Sequence, residues 1–319
     1  MSGVALVLVE TEQGRVGLVS RQALTLARQL GEQVHALVLG AVDEAVLSDC
    51  ADQGVALVHE ATDDGLDRYA AAAWARALES CLETMGATAV VAGGTPRGTE
   101  VLAHVAARGD LPMAANAVQV TSTGPLQVER QVAGGAVLER MRLDEVPALL
   151  TVAGHAVEAE PASTPGAAQH RPFTAGLSPR DLRAQVARTG ARTGGDSSGL
   201  AAARVVVGVG RGAGGTEGFA DADRLAARLG GVVGVSRVVT SMGWRPHHEQ
   251  VGQSGSRITP EVYIACGISG AVQHWAGVSS ARTIIAINTD DQAPMVTKAH
   301  YAVIGDMHEV IPALLQALD

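Results

Sequence analysis

The sequence predicts an α/β fold of two domains, each a mostly parallel sheet with flanking helices. A chain of 319 residues suits two domains at about 100 to 200 residues each. Short β-rich runs alternate with Ala- and Leu-rich helical stretches, which is the pattern of a parallel sheet covered by helices. A Pro-, Gly-, Ser- and Thr-rich region then separates the halves, and its end at Thr189–Gly199 is typical of a linker. We therefore predict domains at residues 1–188 and 200–319.

The N-terminal half contains the patterns of three strands and two long helices. The strands are predicted at Val4–Val9, Val34–Leu39 and Ala89–Ala92, and the helices at Gln22–Leu30 and Tyr69–Met85. The first run is short and follows no basic segment, so it favours a buried strand over a signal peptide. Near the end of this half, Arg180–Arg183 predicts a short helix.

The C-terminal half predicts a five-stranded, Rossmann-like sheet. Its strands are expected at Arg204–Val207, Val232–Val235, Val262–Cys266, Thr283–Ile287 and Tyr301–Ile304. The segments that follow them are small, polar or charged: Gly208–Gly212, Ser236-Arg237, Gly267–Gly270, Asn288–Asp290 and Gly305-Asp306. Because the carboxyl ends of parallel strands share one edge, these groups should converge there. Gly267 and Gly270 let a ligand approach the backbone, and the next helix directs N–H groups at an anion, so the pattern predicts a nucleotide site.

The residues at this edge also bear on which nucleotide is bound. Gly210–Gly215 satisfies G-x-G-x-x-G, but 38 glycines make a chance match common and the motif weak by itself. A dinucleotide site for NAD places an acidic residue after the second strand, where this chain has Ser236-Arg237. An ordinary NAD site is therefore disfavoured. A fixed cation at Arg237 instead suits a phosphate or a redox ring whose reduced form is anionic.

Composition excludes several classes of partner. The net charge of −9 and an aromatic content of 3% disfavour binding to nucleic acid or to an anionic membrane surface. No apolar run reaches the roughly 18 residues of a membrane span, so we expect no membrane insertion and a soluble, cytoplasmic protein. Cys50, Cys81 and Cys266 are odd in number and widely spaced, which predicts buried, reduced thiols and neither disulfides nor a metal site.

From Val205 to Leu318 the chain resembles the FAD-binding domain of electron transfer flavoprotein alpha subunits, the FixB-like family. The motifs that carry the resemblance occur in family order and spacing: Gly210-Arg211-Gly212, Ser236-Arg237, Gln250–Gly255, Pro260–His274, Ala286–Asn288, Ala293-Pro294 and Gly305-Asp306. The N-terminal half resembles the family's first domain more loosely, chiefly through Val7–Glu10, the helix near Gln22–Leu30 and Gly93-Gly94-Thr95. The resemblance implies a bound FAD.

The resemblance also implies a role for each site residue. Arg237 would lie over the flavin ring and stabilise its anionic one-electron-reduced form, Ser254 would bond the ring near N5, and His274 would point to the O2 side as a proton donor or cation. The pyrophosphate and ribityl contacts would come from Arg211, Ser236, Ser269, Gly270, Ala271 and Gln273. The adenosine end would contact Asn288 and Asp306, the loop around the ring would be Gln250, Val251, Gly252 and Gln253, and Gly267 and Asp290 would complete the site.

Several of these residues have a purely structural alternative. Arg211 could be a solvated turn residue, Asn288 a turn former and Asp306 the N-cap of the last helix. In the first domain, Gly93–Glu100 could be a second phosphate cradle, although we favour a strand turn with a helix cap. Cys266 is expected to be inert.

The function implied by the resemblance is that of an electron carrier without substrate turnover of its own. Such a chain pairs with an electron transfer flavoprotein beta subunit that carries AMP, and the heterodimer holds one FAD, mainly in this chain. It accepts electrons singly from a flavin dehydrogenase and passes them to a quinone oxidoreductase or a similar acceptor. Two alternatives remain: a nucleotide-binding module without carrier activity, and a subunit of a bifurcating complex with a second flavin on the partner.

Overall fold

A computed structural model of the chain describes residues 3–133, 137–154, 156–187, 199–200 and 203–318. The predicted linker at 189–199 lies outside the described residues except for Gly199. The chain forms two compact units, Met1–Val132 with Leu138–Gly190 and Ala133–Val137 with Ala191–Asp319. Each unit is built around its own sheet, and the α/β fold class is confirmed.

The N-terminal unit is a nine-stranded sheet with helices on its faces, together with a two-stranded ribbon. Its strands are β1 (Val4–Val9), β2 (Thr11–Glu12), β3 (Arg15–Val16), β4 (Gln33–Leu39), β5 (Val55–Ala61), β6 (Ala89–Gly93), β7 (Met113–Thr123), β8 (Leu126–Val132), β9 (Val137–Leu143), β10 (Ala148–Val152) and β11 (Gln169–Phe173). Its helices are α1 (Leu18–Ala27), α2 (Glu44–Asp52), α3 (Ala71–Met85) and α4 (Pro96–Gly109). The sheet order is β11-β5-β4-β1-β6-β10-β7-β8-β9, parallel from β11 to β7, with β8 antiparallel to β7.

Strand β1 explains why this unit has a core on each face of the sheet. It lies between β4 and β6, and alternate side chains of a strand point to opposite faces. Ala5, Val7 and Val9 belong to one buried cluster, whereas Leu6 and Leu8 belong to the other. Because both faces are covered, a continuous apolar run is what this position requires.

Most predicted elements of the N-terminal half are confirmed, with shifted ends. The predicted helix Gln22–Leu30 instead spans Leu18–Ala27, because the chain after Ala27 tightens into turns ahead of Gly31. A side chain at Gly31 would meet the Gly3 carbonyl oxygen at 2.7 Å, so the chain that follows the helix packs closely against Gly3. The predicted helix at Arg180–Arg183 is wrong. The segment forms turns, and the Asp181 carboxylate accepts hydrogen bonds from the backbone and hydroxyl of Ser178.

The C-terminal unit is a five-stranded, wholly parallel sheet in the order β13-β12-β14-β15-β16. Its strands are β12 (Val205–Val209), β13 (Val232–Val235), β14 (Val262–Cys266), β15 (Thr283–Asn288) and β16 (Tyr301–Ile304). Its helices are α5 (Ala220–Arg228), α6 (Arg237–Ser241), α7 (Val272–Val278), α8 (Pro294–Lys298) and α9 (Met307–Leu318). In the part of the chain that the structure describes, no helix has both the length and the apolar character to span a membrane.

The first strand of this sheet is longer than predicted. It was expected to end at Val207, with Gly208 in the following turn, but β12 continues to Val209. Gly208 pairs with Gly234 on one side and Ala265 on the other, so it is an interior strand residue. A Cβ atom there would lie 2.0 Å from the Tyr263 hydroxyl oxygen. Gly208 is therefore needed for the space that Tyr263 fills, and the turn begins at Gly210.

The three cysteines are buried and unpaired, as predicted. Burial raises the pKa of each thiol to about 12 for Cys50, Cys81 and Cys266. Because only the thiolate is nucleophilic, a raised pKa removes reactivity at all pH values well below it.

We expect no thiol of the native protein to react rapidly with a chromogenic disulfide reagent at pH 8. With a pKa of about 12, a native thiol is ionised to a fraction of about 10⁻⁴, whereas an unfolded thiol of pKa about 8.5 is substantially ionised. Three thiols should therefore react after denaturation and none before it. Fast labelling of any one cysteine in the native chain would contradict this assignment.

Candidate functional site

A cavity of about 750 Å³ lies at the carboxyl edge of the C-terminal sheet. Its volume is in the range of small-molecule and cofactor sites, and its position is where open parallel sheets bind ligands. All the site residues expected from the sequence line this one cavity: Arg211, Ser236, Arg237, Gln250, Val251, Gly252, Gln253, Ser254, Gly267, Ser269, Gly270, Ala271, Gln273, His274, Asn288, Asp290 and Asp306. Two half-exposed apolar residues that were not predicted from the sequence, Val238 and Met242, follow Arg237 on and just after α6 and also line the cavity.

Two glycine turns pack backbone against backbone at one side of this cavity. The Gly210 amide donates to the Cys266 carbonyl over 2.9 Å, and the Gly212 amide donates to the Gly267 carbonyl over 3.1 Å. A Cβ atom on Gly212 would lie 2.6 Å from the Gly267 Cα atom, so neither turn has room for a side chain. Gly267 also adopts a φ of +61°, which favours glycine.

The turn after β14 is held in place by the helix α8. The Met295 amide donates to the Ser269 carbonyl over 3.1 Å, and a Cβ atom on Gly270 would lie 2.3 Å from the Met295 nitrogen. Helix α7 then begins after Ala271 without any side-chain cap. Its first N–H groups are therefore available to an anionic ligand, because these groups have no partner within a helix.

The polar loop between β13 and β14 directs a hydroxyl group at the cavity. Gln250 is buried, and its Oε1 accepts a 2.6 Å hydrogen bond from the Thr240 hydroxyl. Its Nε2 donates to the Ser254 oxygen over 3.1 Å. The Ser254 hydroxyl proton has no acceptor among the described residues, so it can be donated to a ligand.

The same loop is fastened to the start of α7. The Gln253 amide donates to the Gln273 carbonyl over 2.7 Å. Gly252 packs against Gly277 so closely that a Cβ atom on Gly277 would lie 2.5 Å from both the nitrogen and the Cα of Gly252. The loop and the helix are therefore set at a distance that only two glycines allow.

Arg211 and Arg237 supply the positive charge of the cavity. Arg237 is the first residue of α6 and is exposed, while Arg211 lies in the turn after β12. Neither guanidinium group forms an ion pair or hydrogen bond with another described residue. Ser236 makes no capping hydrogen bond to α6, which leaves its buried hydroxyl group beside the cavity. These groups can bind a ligand that carries negative charge.

His274 is a buried, neutral residue of the cavity wall. Its Nε2 lies 2.8 Å from the Tyr263 hydroxyl oxygen, and its Nδ1 makes no hydrogen bond of normal geometry with a described residue. Burial lowers the pKa of His274 to about 4, an effect that the Val251 backbone opposes only in part. In the chain without a ligand, the side chain is thus a hydrogen-bonding group and not a cation at neutral pH.

Two of the structural alternatives are also observed. The Asp306 carboxylate accepts a 2.9 Å hydrogen bond from the His308 amide at the start of α9. The Asn288 side chain donates to the Ile268 carbonyl and accepts from the Asp290 amide. These contacts fix the two side chains at the cavity edge. Each residue therefore has a structural role and also lines the site.

The corresponding turn of the N-terminal unit is closed by the chain itself. Thr95 caps α4 by accepting a hydrogen bond from the Gly98 amide, and its hydroxyl donates to the Glu10 carboxylate. The Gly98 amide also contacts Glu10, whose pKa is raised by burial. A side-chain carboxyl group thus lies where a phosphate would be cradled, which supports the helix-cap interpretation of this turn.

The features of the C-terminal cavity fit a flavin dinucleotide. Main-chain turns without Cβ atoms allow the close approach that a pyrophosphate needs, and two guanidinium groups without internal partners match its charge. The buried His274 Nδ1 has only a contact with the Val251 backbone that falls outside normal hydrogen-bond geometry, so a polar atom of the ring can satisfy it.

Comparison with known proteins gives consistent matches along nearly the whole chain. Residues 5–175 match the electron transfer flavoprotein domain, and residues 199–279 match the electron transfer flavoprotein FAD-binding domain. The alpha subunit of the electron transfer flavoprotein from Mycobacterium leprae is 33% identical over 315 residues, 98% of each chain. This chain belongs to the electron transfer flavoprotein alpha subunit family. Its relatives include the alpha subunit from Bacillus subtilis, 30% identical over 99% of this chain and 97% of the relative, and Protein FixB from Clostridium saccharobutylicum, 32% identical over 97% and 94%.

Membership in the electron transfer flavoprotein family confirms the resemblance seen in the sequence and the flavin-binding character of the C-terminal unit. The match to the FAD-binding domain ends at residue 279, and the cavity uses residues on both sides of that point. Strands β15 and β16 lie beyond the matched residues. The turns that follow them line the cavity because both strands end at the same edge of the parallel sheet.

We expect Gly277→Ala to lower the free energy of unfolding of this electron transfer flavoprotein subunit by about 1–3 kcal/mol and to weaken flavin binding. Alanine has the higher helix propensity by about 1 kcal/mol, but the clash of its Cβ with the Gly252 backbone opposes and exceeds that gain. Urea denaturation and flavin titration measure the two effects. Gly215→Ala is the control, because its backbone is extended and its Cβ would meet nothing within 4 Å. Equal stability of the two variants would contradict the proposed contact.

Proposed function

We propose that this alpha subunit binds one FAD in the cavity of its C-terminal unit and carries electrons one at a time, without substrate turnover of its own. The observation that carries the proposal is that unpaired cations and a neutral histidine line one cavity of dinucleotide size. A module that only binds a nucleotide would need the glycine turns that accommodate its phosphates. A cation at Arg237 is in addition suited to tuning the potential of a redox ring. The nucleotide-binding module without carrier activity is therefore the weaker alternative.

The flavin end of the site is assigned to Arg237, Ser254 and His274. Bound FAD would supply the redox ring, which accepts and releases electrons. The Arg237 guanidinium has no ion-pair partner among the described residues, so it can stabilise negative charge placed next to it. Gln250 holds the Ser254 hydroxyl, whose proton has no acceptor among the described residues and can be donated, and His274 offers a neutral ring nitrogen. Val251, Gly252 and Gln253 hold this loop against α7.

The phosphate and adenosine ends are assigned to the turns of the sheet. Arg211, Ser236 and Gln273 surround the pyrophosphate region, with the turn at Gly267–Ala271 providing close main-chain approach. The adenosine end is assigned to a set of three fixed polar residues, Asn288, Asp290 and Asp306. Hydrogen bonds to the chain hold their side chains in place, so they can contact the ligand without losing conformational freedom.

The partners follow from the family. We propose a heterodimer with an electron transfer flavoprotein beta subunit that carries AMP, a flavin dehydrogenase as electron donor, and a quinone oxidoreductase or similar protein as acceptor. The relatives named alpha subunits support the heterodimer, because an alpha subunit implies a second chain. A bifurcating complex, with a second flavin on the partner, is the alternative that the partner's cofactor content would distinguish.

We expect Arg237→Ala to leave FAD bound and to lower the potential of the first one-electron reduction by on the order of 60 mV, a tenfold change in that equilibrium. The reason is the loss of a cation that favours added negative charge on the ring. Stepwise reduction of the purified heterodimer, followed by visible absorption, measures the potential. Arg211→Ala is the matched control. It should weaken FAD binding and leave the potential unchanged, because Arg211 is assigned to the pyrophosphate. Unchanged potentials in Arg237→Ala, or equal shifts in both variants, would contradict these roles.

We also expect the chain produced without a beta subunit to lose FAD or stability relative to the co-expressed pair. The cavity is open to solvent beside exposed apolar residues, so a second chain is needed to complete the flavin environment. Flavin content per chain and thermal midpoint, compared with and without the partner, are the measurements. A stable monomer that retains a full equivalent of FAD would argue against the heterodimer.

A further inference from the structure

Tyr263 and His274 form a buried pair behind the cavity. Tyr263 lies on β14 with no solvent exposure, and its hydroxyl oxygen is 2.8 Å from the His274 Nε2. The space for this hydroxyl group is provided by Gly208 on the neighbouring strand, where a Cβ atom would lie 2.0 Å from it. The sheet is thus built to place a phenol group on one nitrogen of a histidine that lines the cofactor cavity.

The direction of this hydrogen bond follows from the protons available. Burial raises the pKa of Tyr263 well above its usual value, so the phenol keeps its proton. With Nε2 as the donor, the phenol proton would have no acceptor among the described residues, and a buried donor without a partner costs about 1–3 kcal/mol. With the phenol as the donor, the remaining ring N–H is at Nδ1, where the Val251 backbone gives it a weak contact outside normal hydrogen-bond geometry. The phenol O–H therefore donates and Nε2 accepts. A neutral imidazole has only one N–H, so that proton must be on Nδ1.

We propose that Tyr263 is a positioning residue that fixes His274 as the Nδ1–H tautomer and so presents an N–H donor to an acceptor atom of the ligand in the cavity. The donor is buried and has no partner of normal geometry among the described residues, which is a state that a ligand acceptor would relieve. The tautomer is inferred from the Tyr263 and Val251 contacts of the chain itself. The use of its N–H toward the flavin ring rests on the proposed function.

The family resemblance allowed two roles for the histidine, a proton donor or a cation, and this arrangement is the first of them. Without Tyr263 the ring would be free to exchange its proton between the two nitrogens, and only one of the two tautomers offers a donor at Nδ1. The phenol thus determines which nitrogen donates, although it does not line the cavity itself. Tyr263 acts through His274, as a carboxylate or carbonyl group does when it orients a histidine in other sites.

The test is nitrogen-15 NMR of ring-labelled histidine in the heterodimer, first freed of flavin and then reloaded with FAD. In the wild-type flavin-free complex we expect a bare Nε2 and a protonated Nδ1 for His274. Tyr263→Phe removes only the hydroxyl group, and we expect a measurable fraction of the proton to move to Nε2. We expect the dissociation constant for FAD to rise by roughly 2- to 10-fold, the loss of about one hydrogen bond. Tyr301→Phe is the matched control, because Tyr301 is 67% exposed on β16.

A bare Nδ1 in the wild-type complex would overturn the proposal, as would identical tautomer populations in the wild type and Tyr263→Phe. The wild-type spectrum decides the tautomer even if Tyr263→Phe does not fold. Addition of FAD should shift the Nδ1 resonance of the wild type, and an unshifted resonance with FAD bound would overturn the contact with the ligand. Failure of the wild type to bind FAD would instead contradict the proposed function, and it leaves the tautomer measurement valid because that is made before flavin is added.

Discussion

The geometry of the nucleotide cavity depends on the contact between the turns that follow β12 and β14. Gly210, Gly212 and Gly267 pack main chain on main chain, with hydrogen bonds between the turns and no room for a Cβ atom. This contact fixes the distance between the two central strand ends. The start of α7 and the position of Arg211 depend on this contact, because α7 follows the turn after β14 and Arg211 lies in the turn after β12.

Around this rigid centre, the polar side chains are oriented by neighbours that do not themselves carry charge. Gln250 holds the Ser254 oxygen, and Tyr263 holds one nitrogen of His274. In each pair the second residue keeps a proton for which the described residues offer no acceptor of normal geometry. A ligand acceptor placed there meets a donor group that the protein already holds in position, which favours one ligand geometry. Arg211 and Arg237 have no comparable restraint among the described residues, and they supply net charge where the neutral groups supply direction.

The N-terminal unit shows how the same kind of strand ending can be used differently. Its turn at Gly93–Thr95 precedes a capped helix, and the Glu10 carboxyl group from β1's end lies against that cap. In the C-terminal unit the corresponding helix α7 begins without a cap, and no side-chain carboxylate from the described residues is hydrogen-bonded there. The two turns differ in whether a side-chain carboxyl group of the protein lies at the start of the helix. A parallel sheet offers an anion-binding position at its carboxyl edge, and the side chains nearby decide whether the protein fills that position itself.

Much of this architecture could be predicted from the sequence, since apolar runs and glycines act locally. The strands Val4–Val9, Val232–Val235 and Tyr301–Ile304 have the predicted bounds, and the cavity residues were found because they follow strands of one parallel sheet. The edge strand Gln169–Phe173 was missed, because pairing with β5 and not its own composition makes it a strand.

The sequence by itself determined the fold class, the family and the set of residues at the sheet edge. Only the tertiary structure decided that Gly208 is a strand residue, that His274 is neutral, and that Tyr263 holds its Nε2. These properties depend on burial and on the approach of residues from separate strands and helices. The sequence pattern does not specify the burial or the contacts of a side chain, because both exist only once the chain has folded.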